Sequence, residues 1–467
     1  MSARWPIALL LLLAAAQYGW NISAQRGFWG YDEGAHAAYA LEILETGALP
    51  HPQKGWCTFH PPVYHLLAAA AWGALEPLGP RSVLFGLRIF SALGILGVGL
   101  VVYGLARRFT GSESIAGVAA AGTLFVPVAQ LSATMAGNEA LAAGFATIAM
   151  FFLVSLQDDP ADARAAACAG LFAGLAFATK FSGLWTVAAC AVPFLRLDLD
   201  PRARRSLAIC AVAISIVAGP IYLRNVLETG TPLPFTRTVH PLMTDQEARL
   251  QGAPRHWTDY VRVPLGCGQY PYVNVIVEGG LLAGINGDMQ SVPCLAYAGF
   301  WFDPFGVRAT RSDPSEGLAW GFALMAAGIV PMLLVVFGFG SSVVRVVRTR
   351  GRAAESPLVA VVALALPSFV AFTWLVPSLS AAKASYLLPL LAPAGAFFAQ
   401  GCALLPRSGR RVVLAWSAGA AALAAWVFTT GTVFAPTNAL ASKGFWVAMG
   451  RQFPDPYIVE AALRLIE

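Results

Sequence analysis

The 467-residue chain is 57% hydrophobic and only 12% charged, with mean hydropathy +0.63, which excludes a water-soluble domain because its surface would lack the charge to meet water. Its formal charge of +6 sits in arginine-rich connections between apolar runs and calls for no nucleic-acid partner. It carries no Walker sequence, Gly-rich phosphate loop or zinc-type CxxC pattern, which removes an ATP-driven pump in a single chain.

A bilayer core takes about 20 helical residues, and about eleven transmembrane helices are predicted. They lie near 5–22, 86–106, 115–132, 139–156, 165–179, 181–195, 207–223, 318–340, 357–377, 385–404 and 411–430. The chain is thus expected to be an all-α, polytopic membrane protein. The first run follows Arg4 and reads either as an uncleaved helix or as a signal peptide. Alternate connections hold Arg107 and Arg108, then Arg196 with Arg202, Arg204 and Arg205, then Arg345 through Arg352, then Arg407 with Arg410 and Arg411. This repeated bias predicts an inner N-terminus, with the loops 23–85 and 223–317 on the outer face of the plasma (inner) membrane. The transmembrane module is expected over 1–430, followed by a short outer tail over 431–467.

The first outer loop reads Trp29-Gly30-Tyr31-Asp32-Glu33-Gly34-Ala35-His36 just after the first span. Carboxylates are costly near hydrocarbon, so the Asp32-Glu33 pair is a functional candidate, against the plainer reading that one of them caps a helix. Residues 31–46 hold no proline and are rich in Ala, Leu and Glu, which predicts an interfacial helix ended by Gly47 and Pro50, with Asp32 and His36 one turn apart. His60-Pro61-Pro62 opens a second short helix that runs to Trp72. Next come Asn138-Glu139 at a helix start, Lys180 in a very short turn, Arg224-Asn225 after the seventh span, and Lys383 with Tyr386 before the tenth. All fall on the predicted outer side, so the acids of both motifs, two lysines and an arginine are expected to share one membrane face. Headgroup snorkelling is the competing account of the three cations. Among the cysteines, Cys57, Cys267 and Cys294 are outside; a Cys267–Cys294 disulfide and a pairing through Cys57 both stay open.

Taken in order, Tyr31-Asp32-Glu33, His60-Pro61-Pro62, Asn138-Glu139, Thr179-Lys180-Phe181-Ser182-Gly183, Leu223-Arg224-Asn225 with Gly230-Thr231-Pro232, and Tyr386-Leu387-Leu388-Pro389 resemble the pattern of GT-C glycosyltransferases. More narrowly they resemble the phospholipid-carrier-dependent group related to protein O-mannosyltransferases and the lipid A aminoarabinose transferase. Gly299-Phe300-Trp301 with Phe305-Gly306 is similar to an aromatic motif of that group. The likeness covers roughly residues 1–405; Glu139 stands where many members carry Asp, and His60 where many carry Lys.

The resemblance implies a GT-C fold and transfer of a sugar from a polyprenyl-phosphate donor to a hydroxyl of a lipid, glycan or protein at the outer face. It implies that Asp32 works at the acceptor, as general base taking a hydroxyl proton or by orienting it; Glu33 and Glu139 are the further candidate catalytic acids. Lys180, Arg224 and Lys383 are the candidates for holding the donor phosphate, because the departing group gains negative charge. His36, His60, Asn138 and Tyr386 are expected to support the site. No cofactor is firmly predicted; a divalent ion on Asp32, Glu139, His36 and His60 is the other way to supply positive charge. The rival classes are a secondary transporter, which would place ionisable groups at the bilayer midplane, and a lipid-linked glycan polymerase or ligase.

Overall fold

The computed structural model describes residues 5–25, 27–28, 30, 32–195, 200–234, 255–263, 291–302, 314–377, 380–429, 443–444, 447 and 455–466. Among the described residues there is helix and no strand, as the apolar runs require. Seven helices are long and apolar enough to cross a membrane: Pro6–Ala24, Pro80–Thr110, Asn138–Asp158, Pro201–Thr229, Ala319–Arg348, Ser356–Leu375 and Ala384–Leu404. An eighth is the pair Glu113–Phe125 and Pro127–Ala133, bent by 57°. Pro127 causes that bend, since a residue before proline is driven out of the helical region and Val126 adopts ψ 136°.

The remaining expected spans are helical but do not meet the same length and composition. Ala163–Thr179 is a shorter apolar helix, and the stretch expected at 181–195 is short and broken, around Leu184–Ala189. Gly183 is the reason for one break, because a Cβ there would strike the backbone of Ala176 and Phe177. Arg407–Val427 opens with three arginines in five residues and is not among the crossing helices. The expected number of eleven therefore stands at seven, or eight with the bent pair, among the described residues.

Four elements position the polar chemistry. Helix α1 is Trp5–Ala24; α2, Glu33–Thr46, follows it and ends at Gly47, whose φ of +67° suits glycine. Helix α3 is Val63–Leu75, and α4 is Pro80–Thr110, about 46 Å long at 1.5 Å per residue. Both predicted loop helices thus exist. They lie on one another rather than in an amphipathic layer, and eleven of the fourteen residues of α2 are buried.

The bent pair supplies α5, Glu113–Phe125, and α6, Pro127–Ala133; α7 is Asn138–Asp158 and α8 is Ala163–Thr179. Helices α4 and α7 cross so closely at Gly94 and Gly144 that a Cβ on either would meet the other's backbone. Small residues permit such contact, and in a membrane packing of this kind takes the place of the hydrophobic drive. Arg88 and Glu139 lie toward one end of this crossing. Arg108 pairs with Asp158 at the other, so the arginine-rich connections lie opposite the candidate acids.

Candidate active site

Asp32 stands at the N-cap position of α2, yet its side chain makes no capping bond. It turns instead toward Lys383, whose Nζ lies 3.2 Å from Oδ2, while the indole Nε1 of Trp56 lies 3.3 Å from Oδ1. The Asp32 side chain keeps 27% of its surface and Lys383 9%, so the pair is sheltered but reachable. Burial works against the Lys383 ammonium, but the Asp32 carboxylate, with Tyr386 and Glu139, outweighs it and holds the lysine above its usual range.

The neighbouring Glu33 has the opposite surroundings. Its side chain and that of Arg88 are sealed from solvent. Arg88 grips both carboxylate oxygens, at 2.7 and 3.2 Å, and the backbone N–H groups of Gly30 and Ala136 donate to them at 3.0 and 2.7 Å. The same guanidinium donates to the carbonyls of Gln25 and Gly27 at 3.1 and 2.6 Å. Glu33, expected beside Asp32 as a catalytic acid, is therefore an anchor tying the entry of α2 to α4 and to the turn before α7.

Across the cleft, Lys180 donates to Glu139 Oε1 at 2.7 Å and to Asn138 Oδ1 at 3.3 Å, and Asn138 reaches back to the Thr179 carbonyl at 3.2 Å. The Lys180 ammonium also stands 5.0 Å from the centre of the Tyr386 ring. Asp32, His36, Glu139, Lys383 and Ser385 line one small cleft, with Glu33 in its wall. Sequence candidates separated by more than 350 positions are thereby brought together.

Arg224 is not in that lining. It donates to the Pro50 carbonyl and pairs with Glu228 at 2.9 Å, which fastens the loop after α2. His60 lies behind the cleft: its ring centre is 5.7 Å from that of His36, and His36 Nδ1 is 2.9 Å from His65 Nε2. Burial lowers the pKa of His36 and pushes His60 and His65 well below the usual value. His36 stacks on His65, and the His60 ring is tilted against His36. Among the described residues no three His, Cys, Asp or Glu side chains gather in a metal-holding group.

Beyond the cleft lies a cavity of about 890 Å³ lined by Phe125, Tyr297, Trp301, Phe397 and other apolar side chains. The segment 383–391 joins the two spaces: Lys383 and Ser385 face the cleft, and Leu387, Leu390 and Leu391 face the cavity. Cys294, also on the cavity wall, is disulfide-bonded while Cys57 is free. Cys267, Tyr270, Tyr272, Phe305 and Gly306 lie outside the described residues.

Three contributors escape sequence reading: Arg88, Trp56 and the helix Pro456–Leu465. Arg88 alone left a signal, being a charge inside an otherwise apolar run.

Residues 60–222 match the family described as dolichyl-phosphate-mannose-protein mannosyltransferase. No curated protein matches the sequence. Among solved structures, the Archaeoglobus fulgidus oligosaccharyltransferase in its apo form is 14% identical with a TM-score of 0.55, over 97% of this chain and 60% of that one. AglB from the same organism, in complex with an inhibitory peptide and a dolichol-phosphate, is 13% identical with a TM-score of 0.54, over 98% and 59%. The chain thus spans about three fifths of their length. ArnT from Cupriavidus metallidurans bound to undecaprenyl phosphate is 18% identical with a TM-score of 0.40, over 85% of this chain and 78% of that one. The matched segment resembles that mannosyltransferase family over about a third of the chain, and the archaeal structures show that the chain shares their GT-C fold.

Proposed function

We propose that this protein transfers a sugar from a polyprenyl-phosphate donor to a hydroxyl acceptor at the extracytoplasmic face of the membrane. One observation carries the reading: a partly open carboxylate, Asp32, and the sheltered Lys383 border a cleft, with Lys180 paired to Glu139 of its wall, and that cleft is continuous in sequence with a large apolar cavity. A lipid phosphate has that polarity, with a charged head and an apolar tail. The family description of residues 60–222 and the dolichol-phosphate bound by AglB support a lipid-phosphate donor. The arginine-rich opposite end supports the outer placement of the site.

In the proposed reaction the acceptor oxygen attacks the anomeric carbon and its proton passes to an Asp32 oxygen. The bond from that carbon to the phosphate oxygen breaks, and the polyprenyl phosphate leaves with the electron pair. Lys383 and Lys180 face the charge that develops on it; such fixed cations act without reorganising. Glu139 and Asn138 hold Lys180 in place. Glu33 with Arg88 keeps the wall rigid, and Arg224 fixes the loop that follows α2.

Purified protein is to be given undecaprenyl-phosphate-linked hexoses and pentoses, with envelope glycolipid and glycan extracts as acceptors. Release of undecaprenyl phosphate matched by labelled acceptor is expected, and Asp32→Asn should suppress both. Near-normal transfer by folded Asp32→Asn protein removes the proposal.

A further inference from the structure

We infer that Trp56 is a positioning residue for Asp32, and that Asp455, from the other end of the sequence, holds Trp56 in place. The inference rests on the reading of Asp32 as the base. The torsion that turns a carboxylate is broad, so its direction has to be set by donors. Lys383 takes Oδ2, and Trp56 is the donor at Oδ1, 3.3 Å away. That bond is long, as catalytic hydrogen bonds often are before substrate arrives.

Trp56 belongs to an irregular loop and has no helix to fix it. Two devices do so. The first is local: Gly55 N–H donates to the Thr58 hydroxyl at 2.9 Å, and that hydroxyl sits 3.0 Å from the carbonyls of Pro52 and Gly55. The second comes from the helix Pro456–Leu465. Its capping residue Asp455 accepts from Tyr457 N–H at 3.1 Å, and its carboxylate lies against the backbone at Gly55, the residue before Trp56. Asp455 is more than nine-tenths buried, and a Cβ on Gly55 would collide with its Oδ2, so glycine at 55 is what admits the carboxylate.

The helix has its own hold on α2. Ile458, Ala461, Ala462 and Leu465 are buried in the cluster that contains Ala37, Ala40 and Leu41, and Arg464 pairs with Glu45 at 2.5 Å. Neither Trp56 nor Asp455 lines the cleft. They act through Asp32: the carboxylate of Asp455 sets the backbone at Gly55, just before Trp56, and the Trp56 indole sets the Asp32 carboxylate.

The test uses full-length protein, the undecaprenyl-phosphate-linked sugar that the wild type turns over, and rates counted per undecaprenyl-phosphate binding site. Trp56→Phe keeps an aromatic ring and removes the N–H. It should lower kcat about tenfold with donor KM within about twofold, the loss of one donor to a charged acceptor. Asp455→Ala should do the same, and the double variant should lose no more than the worse single one, because both act along one path. Unchanged kcat in Trp56→Phe, a loss that appears in KM, or a double loss equal to the product of the singles overturns the inference. If Trp56→Phe does not fold, Asp455→Ala measured in the same way decides, and unchanged kcat there overturns it. Asp32→Asn, run alongside, separates the two claims. Retained transfer there rejects the base assignment, whatever the Trp56 and Asp455 variants show.

Discussion

Asp32 and Glu33 are adjacent acids with opposite fates. Glu33 meets a guanidinium and two backbone donors in a sealed space, and every lone pair it offers is spoken for. Asp32 meets one ammonium and one indole and keeps a quarter of its surface. A full set of partners makes a carboxylate an anchor, whereas a partial set with access leaves it free to take a proton. The two jobs depend on each other, because the entry of α2 that presents Asp32 is held by Glu33.

The strongest way to break this contrast is to neutralise each acid. Asp32→Asn should lower transfer by about 10²- to 10⁴-fold, the usual worth of a general base, while thermal unfolding in detergent stays near wild type. Glu33→Gln should instead cost about 3–5 kcal/mol of stability by leaving Arg88 buried and unpaired, with activity falling as the fold does. Equal loss of stability in both variants would erase the distinction. Lys180→Ala and Lys383→Ala sharpen it on the cation side. Each should raise donor KM and lower kcat, about tenfold apiece, since the phosphate is charged in the ground state as well as in the transition state.

A smaller effect is expected from pH. His36, His60 and His65 have folded pKa values below the 6.5 of the free side chain. Below about 6.5 an unfolded chain therefore binds more protons than the folded one, and stability should be complete above that pH and decline as pH falls through it. Unfolding temperatures between pH 7.5 and 5.5 check the slope, and His60→Asn should flatten part of it.

The sequence exposed what is local or ordered. The helices after Asp32 and His60, the stop at Gly47, the helix start at Asn138-Glu139 and the turn at Lys180 were all readable from start signals, glycine and charges at helix ends. Partners fixed only by packing were not. Nothing within the first loop says that Glu33 will meet Arg88, 55 positions on, or that Trp56 will turn to Asp32. Arg224 looked equivalent to the lysines because it falls on the same predicted side, but sidedness does not set direction, and it donates to the Pro50 carbonyl. The count of eleven is not confirmed where short apolar runs break, as at Gly183, since hydropathy registers composition and not the backbone's room to turn.

The docking of Pro456–Leu465 on α2 also bears on biogenesis. Arg464 and its partner Glu45 are separated by 419 positions, so nearly the whole chain is synthesised and inserted before the two can meet. At about 5–20 residues per second, that is an interval of tens of seconds during which α2 lies without this brace. A nascent chain therefore carries Asp32 long before it is locked. The described geometry around Asp32 is complete only once Pro456–Leu465 has docked.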